Sequence, residues 1–169
     1  DPPGEVFRHE FYPQYKANRD PMPDDLRLQI PNIKRILEAM GIAMLEVPNY
    51  EADDVMATVA HQIDQAGGKA FLVTSDKDCR QLISDNVKMY NIRKDVIFDE
   101  QDLMEKWGVR PEQVVDFQAL VGDSVDNVPG VQQIGPKTAT AVLAEFGDLE
   151  GVLENAHTVK AKNRRENLM

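Results

Sequence analysis

The chain has 169 residues, 42% of them apolar and 28% charged, and its 29 acidic against 19 basic side chains give a net charge of −10. That length builds one compact domain with room for a small satellite, and ten Gly and ten Pro are too few for a disordered or fibrous chain. The single cysteine, Cys79, excludes an intramolecular disulfide, and no apolar run approaches the ~20 residues of a bilayer span, so a cytoplasmic protein without membrane association is expected.

The chain opens Asp1-Pro2-Pro3-Gly4 without an initiator methionine and is expected to be a fragment. Residues 1–25 mix prolines with aromatic and basic side chains and are expected to be irregular or short-helical. Within them, Tyr15-Lys16-Ala17-Asn18-Arg19 joins an aromatic surface to two cations, a composition that stacks a base and holds a phosphate of a single strand, or simply solvates a surface. Leu26, Ile30, Ile33, Ile36, Leu37 and Met40 recur at helical spacing and predict a helix over 24–40. Ile42–Val47, closed by Pro48, reads as a strand, and Glu51–Ala66 as a helix stopped by Gly67-Gly68. Lys69–Thr74 is the best buried-strand pattern in the chain. A short helix over 80–83 and strands over 87–91 and 95–98 follow. From Asp99 the pattern is helical, with candidates at 99–107, 111–121, 136–146 and 148–155, ahead of a basic tail. Strands alternating with helices predict an α/β sheet core followed by a helical appendage.

Three acidic clusters stand out. Glu51, Asp53 and Asp54 fall in the first turn of a predicted helix; Asp76 and Asp78 follow the strongest strand; Asp123 and Asp126 lie three apart, on one face if helical. The carboxyl ends of parallel strands are where α/β folds place ligands. Each cluster alone also fits a plain structural role, in favouring a helix dipole or shaping a turn. Together, seven carboxylates without a His or Cys companion set suit hard cations such as Mg²⁺ or Mn²⁺ rather than zinc, and lack the spacing of a calcium-sensing loop. Two such ions roughly 4 Å apart can activate water and stabilise an in-line phosphoryl displacement. Val128–Ala139 joins two predicted helices through a turn with Gly130 and Gly135 at its ends. Gly135, Lys137 and Thr138 bring close backbone approach, charge and a hydroxyl to one helix start, as a duplex-gripping helix-hairpin-helix would; an ordinary helical hairpin is the alternative.

The order of motifs, Phe-Arg-His-Glu…Tyr-Lys…Arg, Glu-Ala-Asp-Asp, Thr-Ser-Asp-Lys-Asp, Gly-Asp-Ser-Val-Asp-Asn-Val-Pro-Gly-Val and Ile-Gly-Pro-Lys-Thr-Ala, resembles the 5′-nuclease (5′→3′ exonuclease and flap endonuclease) domain of bacterial DNA polymerase I over nearly the whole chain. The resemblance implies a PIN/flap-endonuclease-like fold, with a central, mainly parallel sheet flanked by helices and a C-terminal helix-hairpin-helix. It divides the chain into an α/β core over 1–121, with an arch segment at 5–25, and a DNA-binding subdomain over 122–169. It implies metal ligation by Asp1, Glu51, Asp53, Asp54, Asp76, Asp78, Asp123 and Asp126, with Asp1, Glu51, Asp53 and Asp76 nearer one ion and Asp78, Asp123 and Asp126 nearer the other. Tyr15, Lys16 and Arg19 take the place of arch residues at the scissile phosphate. Gly130, Val131, Ile134, Gly135, Lys137 and Thr138 take that of the duplex-binding hairpin, which in the family often holds K⁺. The activity implied is Mg²⁺-dependent hydrolysis at 5′ ends or flaps of duplex DNA, including RNA primers, with a polymerase domain in cis in the parent protein.

With those eight acids set aside, 21 acidic side chains face 19 basic ones, so the acidity lies largely in the candidate site and does not argue against DNA. The family's first strand, which carries a further aspartate, precedes Asp1, so a fragment that binds metal and DNA yet cuts poorly is also expected. The competing readings are a DNA-structure-binding chain without turnover and a PIN-like ribonuclease.

Overall fold

The computed structural model describes residues 4–169; the candidate ligand Asp1 lies outside them. The chain divides into two compact units. The first takes the chain through Val55 together with Val125–Asn127, and the second takes Met56–Ser124 and Val128–Met169.

In the first unit the Pro-rich opening holds one short helix, α1 (Arg8–Phe11), and α2 (Asp24–Ala39) follows Pro23 with Asp24 and Asp25 in its first turn, where carboxylates favour the helix dipole. Helix α3 (Ala52–Gln65) starts here and continues into the second unit. The expected strand over Ile42–Val47 is instead irregular: no ladder partner pairs with it among the described residues, and Ile42, Met44, Leu45 and Val47 are exposed. An apolar run is not enough for a strand when its backbone groups find no neighbour. Helix α2 likewise buries none of its side chains. What the first unit does bury, among its described residues, is Val6, Tyr15, Glu51 and Asp126, so its centre is a tyrosine and two carboxylates rather than an apolar core.

The second unit is an α/β unit with a helical half. Strands β1 (Ala70–Leu72), β2 (Val87–Asn91) and β3 (Val96–Phe98) form a sheet in that order, β1 parallel to β2 and β3 antiparallel to it. The register pairs Leu72 with Met89 and Met89 with Phe98. Ala60 of α3, Leu72, Cys79, Ile83, Val87 and Met89 make its core. The sheet is covered on one face: Phe71 and Val73 stay exposed, where a buried strand over Lys69–Thr74 was expected. The second core is built by α4 (Glu100–Trp107), α5 (Val114–Val121), α6 (Pro136–Phe146), α7 (Leu149–Glu154) and α8 (Lys162–Leu168), around Leu103, Leu120, Leu143 and Val152. Each such leucine contributes about 1.5–3 kcal/mol by burial.

Between α5 and α6 the chain makes a two-stranded hairpin, β4 (Gly122–Asp123) against β5 (Val128–Pro129), so the helical spacing read into Asp123 and Asp126 does not apply. Helix α8 has no apolar periodicity in the sequence and is docked through Leu168, its single buried side chain. Among the described residues no helix is long and apolar enough to cross a membrane.

Candidate functional site

Glu51 directly precedes α3. Its carbonyl accepts the first helical hydrogen bonds, from Asp54 and Val55 at 3.1 and 3.3 Å, and its own N–H donates to Asp54 Oδ2 at 2.9 Å. This is the reach-back half of a capping box, and it explains the acid at position 54. Asp54 also receives a two-pronged Arg8 guanidinium, Nη2 to Oδ1 at 2.7 Å and Nη1 to Oδ2 at 2.8 Å. The Arg8 hydrogen bonds hold the Asp54 carboxyl below its ordinary range, against the opposing effect of burial.

The Glu51 carboxylate is buried and accepts from Tyr15 Oη at 2.8 Å and Lys16 Nζ at 2.5 Å, with Arg8 Nη1 at 3.4 Å. Burial pushes its pKa up, but the Lys16 and Tyr15 hydrogen bonds outweigh that and leave it lowered. Tyr15 Oη also lies 3.2 Å from Asp126 Oδ2, and burial together with the Glu51 hydrogen bond raises the phenol far above its ordinary value. Arg19 pairs with Asp126. Lys16 holds a left-handed backbone (φ 55°) while its N–H donates to the Asp126 carbonyl at 3.0 Å, which costs about 1–2 kcal/mol for a residue with a Cβ. Tyr15, Lys16 and Arg19, singled out as aromatic and cationic residues of an irregular segment, are thus anchored on Glu51 and Asp126. Asp53, two residues after Glu51, is half-buried.

In the second unit, Asp76 follows β1 in a loop where its N–H donates to Thr74 Oγ1 at 3.0 Å, and its Oδ1 accepts the Asp78 N–H at 3.0 Å. Asp78 opens a 3₁₀ turn, Asp78–Leu82. The Gln118 amide of α5 donates to Asp78 Oδ1 at 2.5 Å, Lys77 Nζ pairs with an Asp123 oxygen at 2.8 Å, and carboxylate oxygens of Asp78 and Asp123 come within 4.8 Å of each other. Burial raises the Asp78 pKa; Gln118 opposes this, and the nearby Asp76 and Asp123 charges add to it. Carboxylates crowded until one resists ionisation, with oxygen donors only, are a fitting set for a hard divalent cation. Gln118 and Lys77 were not singled out from the sequence; only their neighbourhood to an acidic cluster could have flagged Lys77, and nothing local flags Gln118.

The hairpin candidates separate into two groups. A Cβ on Gly130 would lie 2.3 Å from the Val121 carbonyl, and Val131 N–H donates to the Leu120 carbonyl at 2.9 Å, so this end of the turn is fixed against α5. The Ile134 side chain is in the helical core. Gly135, by contrast, faces open space at the start of α6, and Lys137 is exposed beside it, with Thr138 half-buried. Those three residues, and the backbone rather than the side chain of Ile134, are what this element can offer a phosphate.

Comparison with known proteins decides the family. Residues 1–108 match the model of the 5'-3' exonuclease N-terminal resolvase-like domain, and residues 109–169 match its C-terminal SAM fold. The chain belongs to the 5'-3' exonuclease family. This exonuclease-family chain is 46% identical over 164 residues to DNA polymerase I of Rhizobium leguminosarum, covering 97% of the chain and 16% of the polymerase. It is 45% identical to the 5'-3' exonuclease of Aquifex aeolicus, covering 92% of the chain and 54% of that protein. It therefore spans about half of one relative and a sixth of the other. In fold, the T5 D15 protein, co-crystallised with metal ions, superposes with a TM-score of 0.81 at 24% identity, covering 97% of this chain and 66% of that one. The catalytic core of Rad2, in complex with DNA substrate, superposes at 0.61 and 19% identity, covering 97% and 54%. The 5'-3' exonuclease family chain is accordingly of the α/β class with a helical C-terminal part.

Proposed function

We propose that this chain is a structure-specific 5′ nuclease, hydrolysing phosphodiesters at 5′ ends or flaps of duplex DNA in the presence of Mg²⁺ or Mn²⁺. The observation that carries the reading is the crowding of Asp78 on Asp123 beside Asp76, an all-carboxylate donor set without His or Cys. Family membership supports it, and the divalent ions bound to T5 5'-exonuclease, zinc in that structure, which is 25% identical to this chain, support divalent metal use in general. Glu51, Asp53, Asp54, Asp76, Asp78, Asp123 and Asp126 are the described acids that serve two or more divalent ions, with Asp1 as an eighth. The chemistry supplied by such ions when bound is Lewis-acid activation of water and of the phosphodiester.

The chain's own residues do the rest. Lys16 and Arg19 now neutralise Glu51 and Asp126, and on substrate binding they turn to the scissile phosphate, where their charge stabilises the developing negative charge. Tyr15, unionised at any working pH, stays a hydrogen-bond donor. Gly130–Thr138 forms the duplex-binding element of a subdomain over 122–169, reading backbone rather than bases and offering carbonyls to K⁺, while 1–121 forms the nuclease core. RNA primers on DNA are included among the substrates, a polymerase domain in cis among the partners, and the cytoplasm is the place of action.

The experiment is cleavage of a labelled 5′-flap DNA duplex, and of the same flap in all-RNA form, with Mg²⁺, with EDTA, and with Asp76→Ala. Metal-dependent cutting of the DNA, abolished by EDTA and by the substitution, is expected. Binding of flap and metal without cutting overturns the catalytic reading for this chain, and cutting of RNA alone overturns the substrate.

A further inference from the structure

We infer that Asp54 is a positioning residue locked by Arg8, and that it sets the Glu51 end of α3 instead of lending an oxygen to a divalent ion. The inference rests on the metal reading proposed above and revises the membership of its ligand set. Both Asp54 oxygens are already committed: Oδ1 to Arg8 Nη2 at 2.7 Å, and Oδ2 to both Arg8 Nη1 at 2.8 Å and the Glu51 N–H at 2.9 Å. A paired guanidinium fork on a carboxylate is the geometry in which a charge-assisted hydrogen bond is strongest. With three of about four acceptor sites taken, a cation binding Asp54 directly would compete with the Arg8 fork at Oδ1, or with both the fork and the Glu51 backbone cap at Oδ2.

Arg8 is itself held in place. Its guanidinium lies over the Phe7 ring at 4.7 Å and 5.9 Å from the Tyr15 ring, and Phe7 packs on Tyr50 at 5.3 Å while its N–H donates to the Asn49 carbonyl at 3.1 Å. The segment carrying Tyr15 and Lys16 is therefore tied to the start of α3 twice. Lys16 and Tyr15 grip the Glu51 side chain, and Arg8 grips the backbone cap of the same residue through Asp54. Glu51 differs from Asp54 in the nature of its partners. Its hydrogen bonds come from a single lysine ammonium, a mobile point charge that a metal can replace, and from a phenol, while the Arg8 fork that closes on Asp54 reaches Glu51 only at 3.4 Å. This makes Glu51 an exchangeable carboxylate and Asp54 a fixed one. Arg8 acquires a role that neither its place in an opening Pro-rich segment nor its charge alone would assign.

The test compares Mn²⁺ binding, by calorimetry without DNA, with flap cleavage at saturating Mn²⁺. The variants are Asp54→Asn, Arg8→Gln, Arg8→Lys, the Asp54→Asn/Arg8→Gln double, and Glu51→Gln as comparator. For Asp54→Asn and Arg8→Gln the expected result is a Mn²⁺ Kd within about threefold of the parent with kcat lowered about tenfold. The double variant should be no worse than either single, since both remove one unit. Arg8→Lys keeps the charge without the fork and should restore part of kcat, while Glu51→Gln should weaken Mn²⁺ more than about tenfold. A tenfold or greater loss of Mn²⁺ affinity in Asp54→Asn, or a double variant whose effect is the product of the two singles, overturns the inference. A parent chain that binds Mn²⁺ but does not cut overturns only the nuclease reading, because the Mn²⁺ comparison still decides the ligand question. If Asp54→Asn fails to fold, Arg8→Gln carries the same comparison from the other side of the pair.

Discussion

Tyr15 is the residue on which the polar centre of the first unit turns. It is only 8% exposed, and its hydroxyl serves Glu51 at 2.8 Å and Asp126 at 3.2 Å. Tyr15→Phe keeps the ring and deletes the donor, leaving two buried carboxylate oxygens short of a hydrogen bond. Hydrogen bonds to charged groups contribute about 1.5–3 kcal/mol, and a chain of this length shifts its midpoint by about 2–4 °C per kcal/mol. A fall in Tm of several degrees is expected in thermal unfolding, and an unchanged Tm would remove the tyrosine from the centre. The acids around it also set a pH dependence. Glu51 and Asp54 have folded-state pKa values below their ordinary ones, so the unfolded chain takes up their protons first. Their stabilisation is therefore complete above the ordinary carboxylate range of about 4 and is lost as pH falls through the lowered values. Urea unfolding from about pH 7 to about pH 3 should show stability falling with acid, and the fall should be shallower in Glu51→Gln. Equal slopes in the two proteins would mean that Glu51 is not held below its ordinary pKa in the folded state.

At the scale of elements, the hairpin before α6 contains two glycines with opposite reasons to be there. Gly130 has backbone 2.3 Å from where a Cβ would stand, and it closes on Gly122, which adopts φ +79° and has the Gly130 nitrogen 2.3 Å from its own missing Cβ. Gly135 has nothing within 4 Å. Gly130→Ala should therefore destabilise by about 1–3 kcal/mol, the cost of forcing an overpacked site apart. Gly135→Ala should leave Tm nearly unchanged while weakening duplex DNA binding, measured by fluorescence anisotropy. Equal losses of Tm in both variants would mean that the hairpin is structural throughout. The sequence marks both glycines alike, because spacing reports a turn but not which side of it packs. The same limit runs through the other elements. Helices α2, α3 and α4 to α7 were legible from apolar periodicity and glycine stops, because they carry that pattern locally. Ile42–Val47 has the same apolar signal and no sheet neighbour among the described residues, and α8 docks through the single buried side chain of Leu168 and an Asn167 amide that donates to the Gln132 carbonyl at 2.8 Å, so its register depends on tertiary contact. In the candidate site the acids were legible because carboxylate clusters without His or Cys are chemically specific. Arg8 was visible only as a member of the Phe-Arg-His-Glu motif, without a role, and Gln118 not at all, because what recruits them is a partner 46 or 40 residues away in the chain.

For the molecule as a whole, the charge of −10 is the quantity to be explained, since self-repulsion of an acidic chain opposes compaction. In the second unit the repulsion is concentrated where Asp78 meets Asp123 and is answered there by Lys77, paired with Asp123, and by the Arg80 charge near Asp76 and Asp78. A cation that binds the folded chain and not the unfolded one stabilises it by mass action, by about 2.7 kcal/mol at a free concentration 100 times Kd. With a midpoint sensitivity of about 2–4 °C per kcal/mol, saturating Mg²⁺ should raise Tm by about 5–10 °C, and EDTA should reverse the rise. General screening by salt also relieves repulsion, so the control is NaCl at matched ionic strength, which acts over a Debye length of about 8–10 Å and has no preference for the site. A specific site predicts that Mg²⁺ exceeds the NaCl control and that Asp78→Asn shrinks the excess while raising the metal-free Tm. The metal-free gain follows because the substitution removes a charge that burial and its acidic neighbours disfavour, while the amide can still accept from Gln118. Identical curves in Mg²⁺ and matched NaCl would leave the acid cluster as a surface feature with no divalent ion to hold. A metal-free Asp78→Asn chain that melts lower than the parent would show instead that the carboxylate is needed for its hydrogen bonds and not for a cation.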